Sequence, residues 1–189
     1  MTKLKKKELN KLLLKLRTGK LSHQVSVKII NLLGDNNFLE AKEDIAKYLF
    51  SKYYLERYAA LSNLIYDFGL DECRKNCEFF LLKDKDDDNR ALGANCLAIL
   101  RVGTNDKPAL KLLLKVFKNK KESRIVRDSA FDSILHIMGI PYRKRPKLPS
   151  RLNYKSKTYM NFIEEAQRII SKSGSDNTKQ KIDYDLVLR

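Results

Sequence analysis

Arg90-Ala-Leu-Gly-Ala-Asn-Cys-Leu97, followed at position 103 by glycine, is one of three versions of a single phrase in this chain. The others are Arg57-Tyr-Ala-Ala-Leu-Ser-Asn-Leu64 with Gly69, and Arg127-Asp-Ser-Ala-Phe-Asp-Ser-Ile134 with Gly139. Each puts a small residue three places after the arginine (Ala60, Gly93, Ala130), an aliphatic one seven places after it (Leu64, Leu97, Ile134), and a glycine twelve or thirteen after it. A fourth, earlier copy keeps Val25, Ile29 and Gly34 but has Ser22 where the arginine should be. Gly34, Gly69, Gly103 and Gly139 are thus spaced 35, 34 and 36 residues apart. Spacings of three, four and seven share one face of an α-helix, and a glycine just past the last apolar residue stops a helix by taking the left-handed backbone cheaply. Each phrase predicts a helix that its glycine ends.

After each glycine a second stretch of helical periodicity follows: Phe38 to Phe50, Asp71 to Leu82, and Asp106 to Phe117, the last with Pro108 where a first helical turn tolerates it. Helix, turn, helix, repeated in tandem at about this length, predicts an all-α chain built as an α-solenoid, in which each unit buries its apolar face against its neighbours. No Pro/Gly-rich divide interrupts the 189 residues, so the expectation is a single domain over 1–172, about four repeats behind a basic capping helix in 1–20, with a flexible tail over 173–189.

The stretch from Lys83 to Gly139 resembles the HEAT family, and its HEAT-like branch (the PBS-lyase type) in particular. The resemblance is carried by the acidic lead-in Asp84 to Asp88, then Asn89-Arg90, then Gly103-Thr-Asn-Asp-Lys-Pro-Ala-Leu opening a second helix, then Val126-Arg127 starting the next round. It extends over roughly residues 20–172. It implies that Arg90 and Arg127, and with them Arg57, tie one repeat to the next, and that the copy bearing Ser22 is degenerate. It is specific for fold and nearly silent on function.

The net charge of +16 is concentrated. Residues 1–20 hold eight Lys/Arg against Glu8, and residues 133–163 hold seven with no acid, whereas 21–132 carry 19 basic and 17 acidic residues. In the first segment, Leu4 to Leu16, the residues Leu9, Leu12, Leu13 and Leu16 fall on one helical face, with Lys3, Lys6, Lys7 and Lys11 mostly on the other. Such a helix suits a membrane surface, but at the end of a solenoid it reads more simply as a cap. The second segment runs Ile140-Pro-Tyr-Arg-Lys-Arg-Pro-Lys-Leu-Pro-Ser-Arg151-Leu-Asn-Tyr-Lys155, and its three prolines forbid a regular helix. It predicts a loop over 140–155 before helical spacing resumes at Tyr159, Phe162, Ile163, Ala166, Ile169 and Ile170. Tyr142, Arg143, Lys144, Arg145, Lys147 and Arg151 are its candidate binding residues, with Tyr154 a further ring, because cations and rings can meet phosphates and bases. The bland alternative is a solvated linker. Lys107, Lys111, Lys115 and Lys118 form a third basic feature, a stripe on one face of the second helix of the third repeat. The HEAT resemblance implies that this face lines the concave side; the plain alternative is ordinary helix surface.

Signals for chemistry fail when tested. There is no glycine-rich phosphate loop, and His23 and His136 stand apart from each other. Cys73, Cys77 and Cys96 lack a fourth ligand for tetrahedral zinc and read as buried thiols. Asp84, Asp86 and Asp88 imitate the start of a calcium loop, but Asn89 stands where glycine belongs and Asn95 where the bidentate glutamate belongs. No catalytic residue, metal or cofactor is expected. With no secretory or membrane-spanning segment and an odd number of cysteines, the expectation is a soluble cytoplasmic protein. The favoured function is a non-catalytic binding module that grips a protein partner with an acidic surface through the concave solenoid face and the basic loop: an adaptor, an assembly factor or a cognate inhibitor such as an immunity protein. Nucleic-acid binding is the alternative; a HEAT-like DNA glycosylase or lyase ranks last, since the chain has no Trp to stack on a lesion.

Overall fold

A computed structural model describes residues 3–146 and 156–172. Among them are nine α-helices, linked by 3-10 turns and one π segment, and no β-strand. None of the described helices is long and apolar enough to cross a membrane. The chain divides into two compact units, Met1–Cys96 and Leu97–Arg189.

The first unit opens with α1 (Lys6–Arg17). The Glu8 carboxylate accepts a hydrogen bond from the Lys5 backbone N–H at 2.8 Å, covering one of the amides a helix start leaves unpaired. Leu9, Leu13 and Leu16 are buried and Leu12 partly so, while Lys6, Lys7 and Lys11 face solvent. The amphipathic reading of this segment has the right register, and the leucines pack on α2 (His23–Asp35). Residues 39–50 form one helical run around α3 (Lys42–Ala46). Next comes α4 (Tyr54–Ser62), continued as a π segment, Asn63–Asp67, and then α5 (Arg74–Lys83) behind a 3-10 turn at Asp71–Cys73. The boundary between the units falls in α6 (Asp87–Ile99).

Two glycines of this unit show that one residue type carries different jobs. Gly69 ends its helix as expected, with φ of +65°. Gly34 does not. It lies inside α2 with no left-handed backbone, and the stop is Asn37, with φ of +50°. Asn37 N–H bonds the Gly34 carbonyl at 2.6 Å and Phe38 N–H the Leu33 carbonyl at 2.9 Å, the paired bonds of a Schellman end with Asn in place of Gly. Gly34 is needed for a close approach instead: a Cβ there would sit 1.5 Å from Asn63 Oδ1. Asn63 is buried and cannot swing away freely, because its Nδ2 donates to Asn31 Oδ1 at 3.1 Å and to the Ala59 carbonyl at 2.7 Å.

Gly93, the small residue of the Arg90 phrase, sits where α6 crosses α5. A Cβ there would come within 2.6 Å of Leu81 N and 2.7 Å of the Cys77 carbonyl oxygen, both backbone atoms that cannot rotate aside. Gly93→Ala is therefore expected to destabilise by about 1–3 kcal/mol despite alanine's better helix propensity, as overpacking does. A urea midpoint equal to or above that of the parent chain would refute the close-contact account.

In the second unit, α7 (Lys107–Lys118) begins under Asp106, whose carboxylate accepts from Ala109 N–H at 2.9 Å, with Pro108 in the first turn. Two further helices follow, α8 (Arg124–Ile137) and α9 (Lys157–Ser171), and both pack on α7. Phe131 of α8 is 1% exposed. Its ring meets Phe117 of α7 at 5.4 Å between centroids, and Tyr159 and Phe162 of α9 at 5.0 and 6.5 Å. Gly139 closes α8 in a full Schellman end, with φ of +72°. The turn around Gly103 bonds that same end: Gly103 N–H to the His136 carbonyl and Asn105 N–H to the Ile137 carbonyl, both at 3.0 Å. Residues 142–144 form a 3-10 turn, as the prolines' exclusion of regular helix allows. Lys147, Arg151 and Tyr154, and the tail over 173–189, lie outside the described residues.

Candidate functional site

The lysine row of α7 is a face in fact as well as in sequence. Burying Leu110, Leu113, Leu114 and Phe117 turns Lys111, Lys115 and Lys118 outward, and all three are exposed. Among the described residues none of the three pairs with a carboxylate. Lys120 and Lys121, just past the helix, are exposed as well, so the stretch 107–121 presents lysines with no acid in it. Lys107 differs from the rest: its ammonium donates to the Lys172 carbonyl, which fixes the end of α9 beside the start of α7.

The basic turn after α8 splits into free and committed parts. Tyr142 is 84% exposed and Arg143 is exposed beside it, whereas Lys144 is half-buried. Arg145 is tied down. Its Nε donates to the Ile140 carbonyl at 3.0 Å, and its Nη1 reaches Asp132 Oδ1 at 3.2 Å and the His136 ring nitrogens at 3.0 Å. With its side chain 12% exposed, Arg145 fastens the turn to α8. His136 is accounted for by the same network, with Asp132 Oδ2 3.1 Å from its Nδ1.

The three phrase arginines make different bonds. Arg57 forms a two-pronged ion pair with Asp84, Nε to Oδ2 and Nη2 to Oδ1 at 2.7 Å each, joining the start of α4 to the end of α5. Asp84 is further held by the Asp86 N–H at 2.9 Å. Burial pushes its carboxyl up, but Arg57, the Asp86 amide and Asn89 together outweigh burial and hold it below the usual carboxylate range. Arg90 bonds nearby, to Asp87 Oδ1 at 2.6 Å and the Asp84 carbonyl at 3.3 Å. Arg127 donates to the Phe117 carbonyl at 2.9 Å and lies over the Phe117 ring, linking α8 to the end of α7.

The acidic run resolves into structural parts: Asp84 is committed to Arg57, and Asp86 Oδ1 accepts from Asn89 N–H at 3.1 Å at the start of α6. Among the described residues no group of three or more His, Cys, Asp or Glu is arranged to hold a metal ion. Cys73, Cys77 and Cys96 are free and buried. Burial, aided by Cys77 and Glu72, raises the Cys73 thiol to about 11, and burial raises Cys96 well above the usual thiol range, so neither is a ready thiolate. His23 stacks on Tyr53 at 4.7 Å.

Two surface features of the first unit escape a reading of periodicity. One is a cleft of about 310 Å³ between α1 and residues 44–56. Its charges are used internally: Arg17 and Lys47 both bind the buried Asp44, at 3.0 and 2.7 Å, and Ser51 donates to the buried Glu56. The other is a scatter of exposed apolar groups: Phe50, 70% exposed and in ring contact with Phe79, and Tyr54, Leu55 and Tyr58 on α4. Their mark in the sequence is apolar residues on the face of α4 that Ala59, Ala60 and Leu61 turn away from the core.

Comparison with known proteins leaves the surface chemistry to speak for itself. No protein-family model matches the chain, and no curated protein matches its sequence.

Proposed function

We propose that this chain is a non-catalytic, HEAT-like helical-repeat module, working in the cytoplasm, whose basic surface binds a protein partner that presents an acidic one. The repeat reading is supported by helix pairs recurring in chain order, 23–35 with 39–50, 54–67 with 71–83, 87–99 with 107–118, and 124–137 with 157–171. The binding reading rests on one observation: Lys111, Lys115 and Lys118 stand on one exposed face of α7, without carboxylate partners among the described residues. A like-charged row raises the local potential, and an acidic surface that meets it gains both on-rate and register. Tyr142 and Arg143 extend the exposed basic surface of this unit.

Nucleic acid is the second reading, favoured by the exposed Tyr142 ring beside Arg143. It ranks behind because one of the turn's two arginines, Arg145, is already bonded, and the row on α7 is lysine throughout.

The test is titration of poly-L-glutamate and of random-sequence duplex and single-stranded DNA and RNA across a salt series. The chain is compared with Lys111→Gln/Lys115→Gln/Lys118→Gln. Poly-L-glutamate binding that weakens severalfold in the variant is the expected result. Indifference of that binding to the triple substitution would overturn the reading. Tighter binding of nucleic acid, with a logarithmic salt slope that the variant flattens by about 2–3, would put the second reading first.

A further inference from the structure

Two helical segments of the first unit end on an aspartate with no cation near the end. Asp35 is the last residue of α2 and Asp67 the last of the π segment that continues α4, and neither last turn holds a basic residue. A helix C-terminus carries the negative end of the backbone dipole, where a cation stabilises and a carboxylate does the opposite. Both aspartates are exposed, and among the described residues neither side chain makes a hydrogen bond or an ion pair. They also face each other: partial burial, and after it the Asp35 charge, push the Asp67 carboxyl above its ordinary value. A third oxygen joins them. Asn63 begins the π segment and is 3% exposed. Its Nδ2 donates to the Ala59 carbonyl, which can only accept, so the amide is oriented with Oδ1 on the other side, against Gly34. The position that a Gly34 Cβ would take lies 1.5 Å from Asn63 Oδ1 and 2.7 Å from Asp67 Oδ2, so these two oxygens are neighbours over one bare glycine. Asn63 Oδ1 is buried and accepts from no donor among the described residues. A buried oxygen without a donor is rare in native proteins and marks a place for a water or an ion.

We infer that Asp35, Asp67 and Asn63 Oδ1 form a site for a hard divalent cation, Mg²⁺ or Ca²⁺. The donors are all oxygen, two carboxylates and one carboxamide, which is the set these ions take and softer metals do not. Three protein oxygens leave the remaining coordination to water, so binding belongs to the weak class, with a Kd of about 0.1–1 mM. The ion relieves the repulsion between the two aspartates and gives both helix ends the positive charge they lack. It also holds the end of α2 to the π segment, whose wider turn sets Asn63 and Asp67 together against Gly34. π turns within helices recur at functional sites for this kind of reason. The site lies in the first unit and does not depend on the reading of α7.

Two measurements on the full chain test this. The first is thermal melting at fixed ionic strength. In EDTA, Asp67→Asn should melt at or above the parent, because it removes one of two repelling charges and breaks no bond. In 10 mM MgCl₂ or CaCl₂ the parent should gain about 3–10 °C over sodium chloride of equal ionic strength, and Asp35→Asn and Asp67→Asn less than half of that. The second is Mn²⁺ titration followed by NMR, since Mn²⁺ takes the same ligands and broadens the amide signals near it. Signals of residues 34–37 and 63–69 should broaden first, and Mg²⁺ or Ca²⁺ should restore them, the preferred ion at the lower concentration. The site is overturned by a parent that gains nothing from either ion, by an equal gain in both variants, or by broadening that begins elsewhere. Asp67→Asn melting well below the parent in EDTA would also overturn it, because the carboxylate would then be stabilising the fold without a metal.

Discussion

Arg57→Ala is expected to lower the stability of the first unit by about 3–5 kcal/mol, the range for stripping one partner from a buried ion pair. The reason is what remains behind. The Asp84 side chain is 2% exposed, so with the guanidinium gone its carboxylate keeps the Asp86 amide and a long contact from Asn89 at 3.4 Å, but loses both 2.7 Å bonds and its countercharge. The Ser51 carbonyl, which accepts from Arg57 Nη1 at 3.0 Å, loses a donor too. Acid separates this cause from mere loss of packing. In the parent chain Asp84 is held below its unfolded value, so its contribution is full above the ordinary carboxylate range and is lost as pH falls through the folded value. In the variant burial still pushes the carboxyl up while the Arg57 bonds and countercharge that pulled it down are gone, so the folded value lies higher than in the parent and less stability is lost as pH falls. The gap between parent and variant therefore narrows from pH 7 toward pH 3.5. Urea midpoints that differ equally at both ends would show that the ion pair is not the source of the loss.

How much of this was legible in the sequence depends on the distance over which a residue finds its partner. Helices were readable because their signal is local: α1, α2, α7 and α8 fall where spacings of three, four and seven place them, and the outward lysines of α7 follow from the inward leucines. Gly34 was misread because a glycine that stops a helix and one that lets a side chain approach look alike in a row of letters. What separates them is Asn63, 29 residues on, whose amide fills the space a Cβ would take. Asn37 could have been found as the stop, since asparagine tolerates the left-handed region better than most residues. Arg145 looked like one more free cation in a basic loop because its acceptors, Asp132 and the Ile140 carbonyl, belong to the helix before it and to that helix's exit. A count of charge does not say which charges are already bonded. The tie from Lys107 to Lys172 spans 65 residues and involves a backbone carbonyl, so no side-chain pattern could announce it.

Phe131→Ala should cost the second unit about 3–5 kcal/mol, because it deletes a buried ring at a point where three helices converge. Phe131 touches Phe117 on α7 and both Tyr159 and Phe162 on α9, and edge-on contacts of this kind add to the area the ring buries. Collapse cannot refill the space easily, since Tyr159, Phe162, Phe117 and Ile134 around it are themselves buried. In a chain of this length each kcal/mol moves the melting temperature by about 2–4 °C, so a drop of several degrees or more is expected. Phe131→Leu, which keeps most of the volume, should lose far less. The loss is also predicted to be uneven. Rings of α9 meet the rest of the unit at Phe131, so hydrogen exchange in α9 should accelerate more than in α1, which Leu9, Leu13 and Leu16 anchor in the other unit. As α9 loosens, the Lys172 carbonyl leaves Lys107. Exchange in α9 that speeds up no more than exchange in α1 would mean that Phe131 is not what holds α9 to its unit.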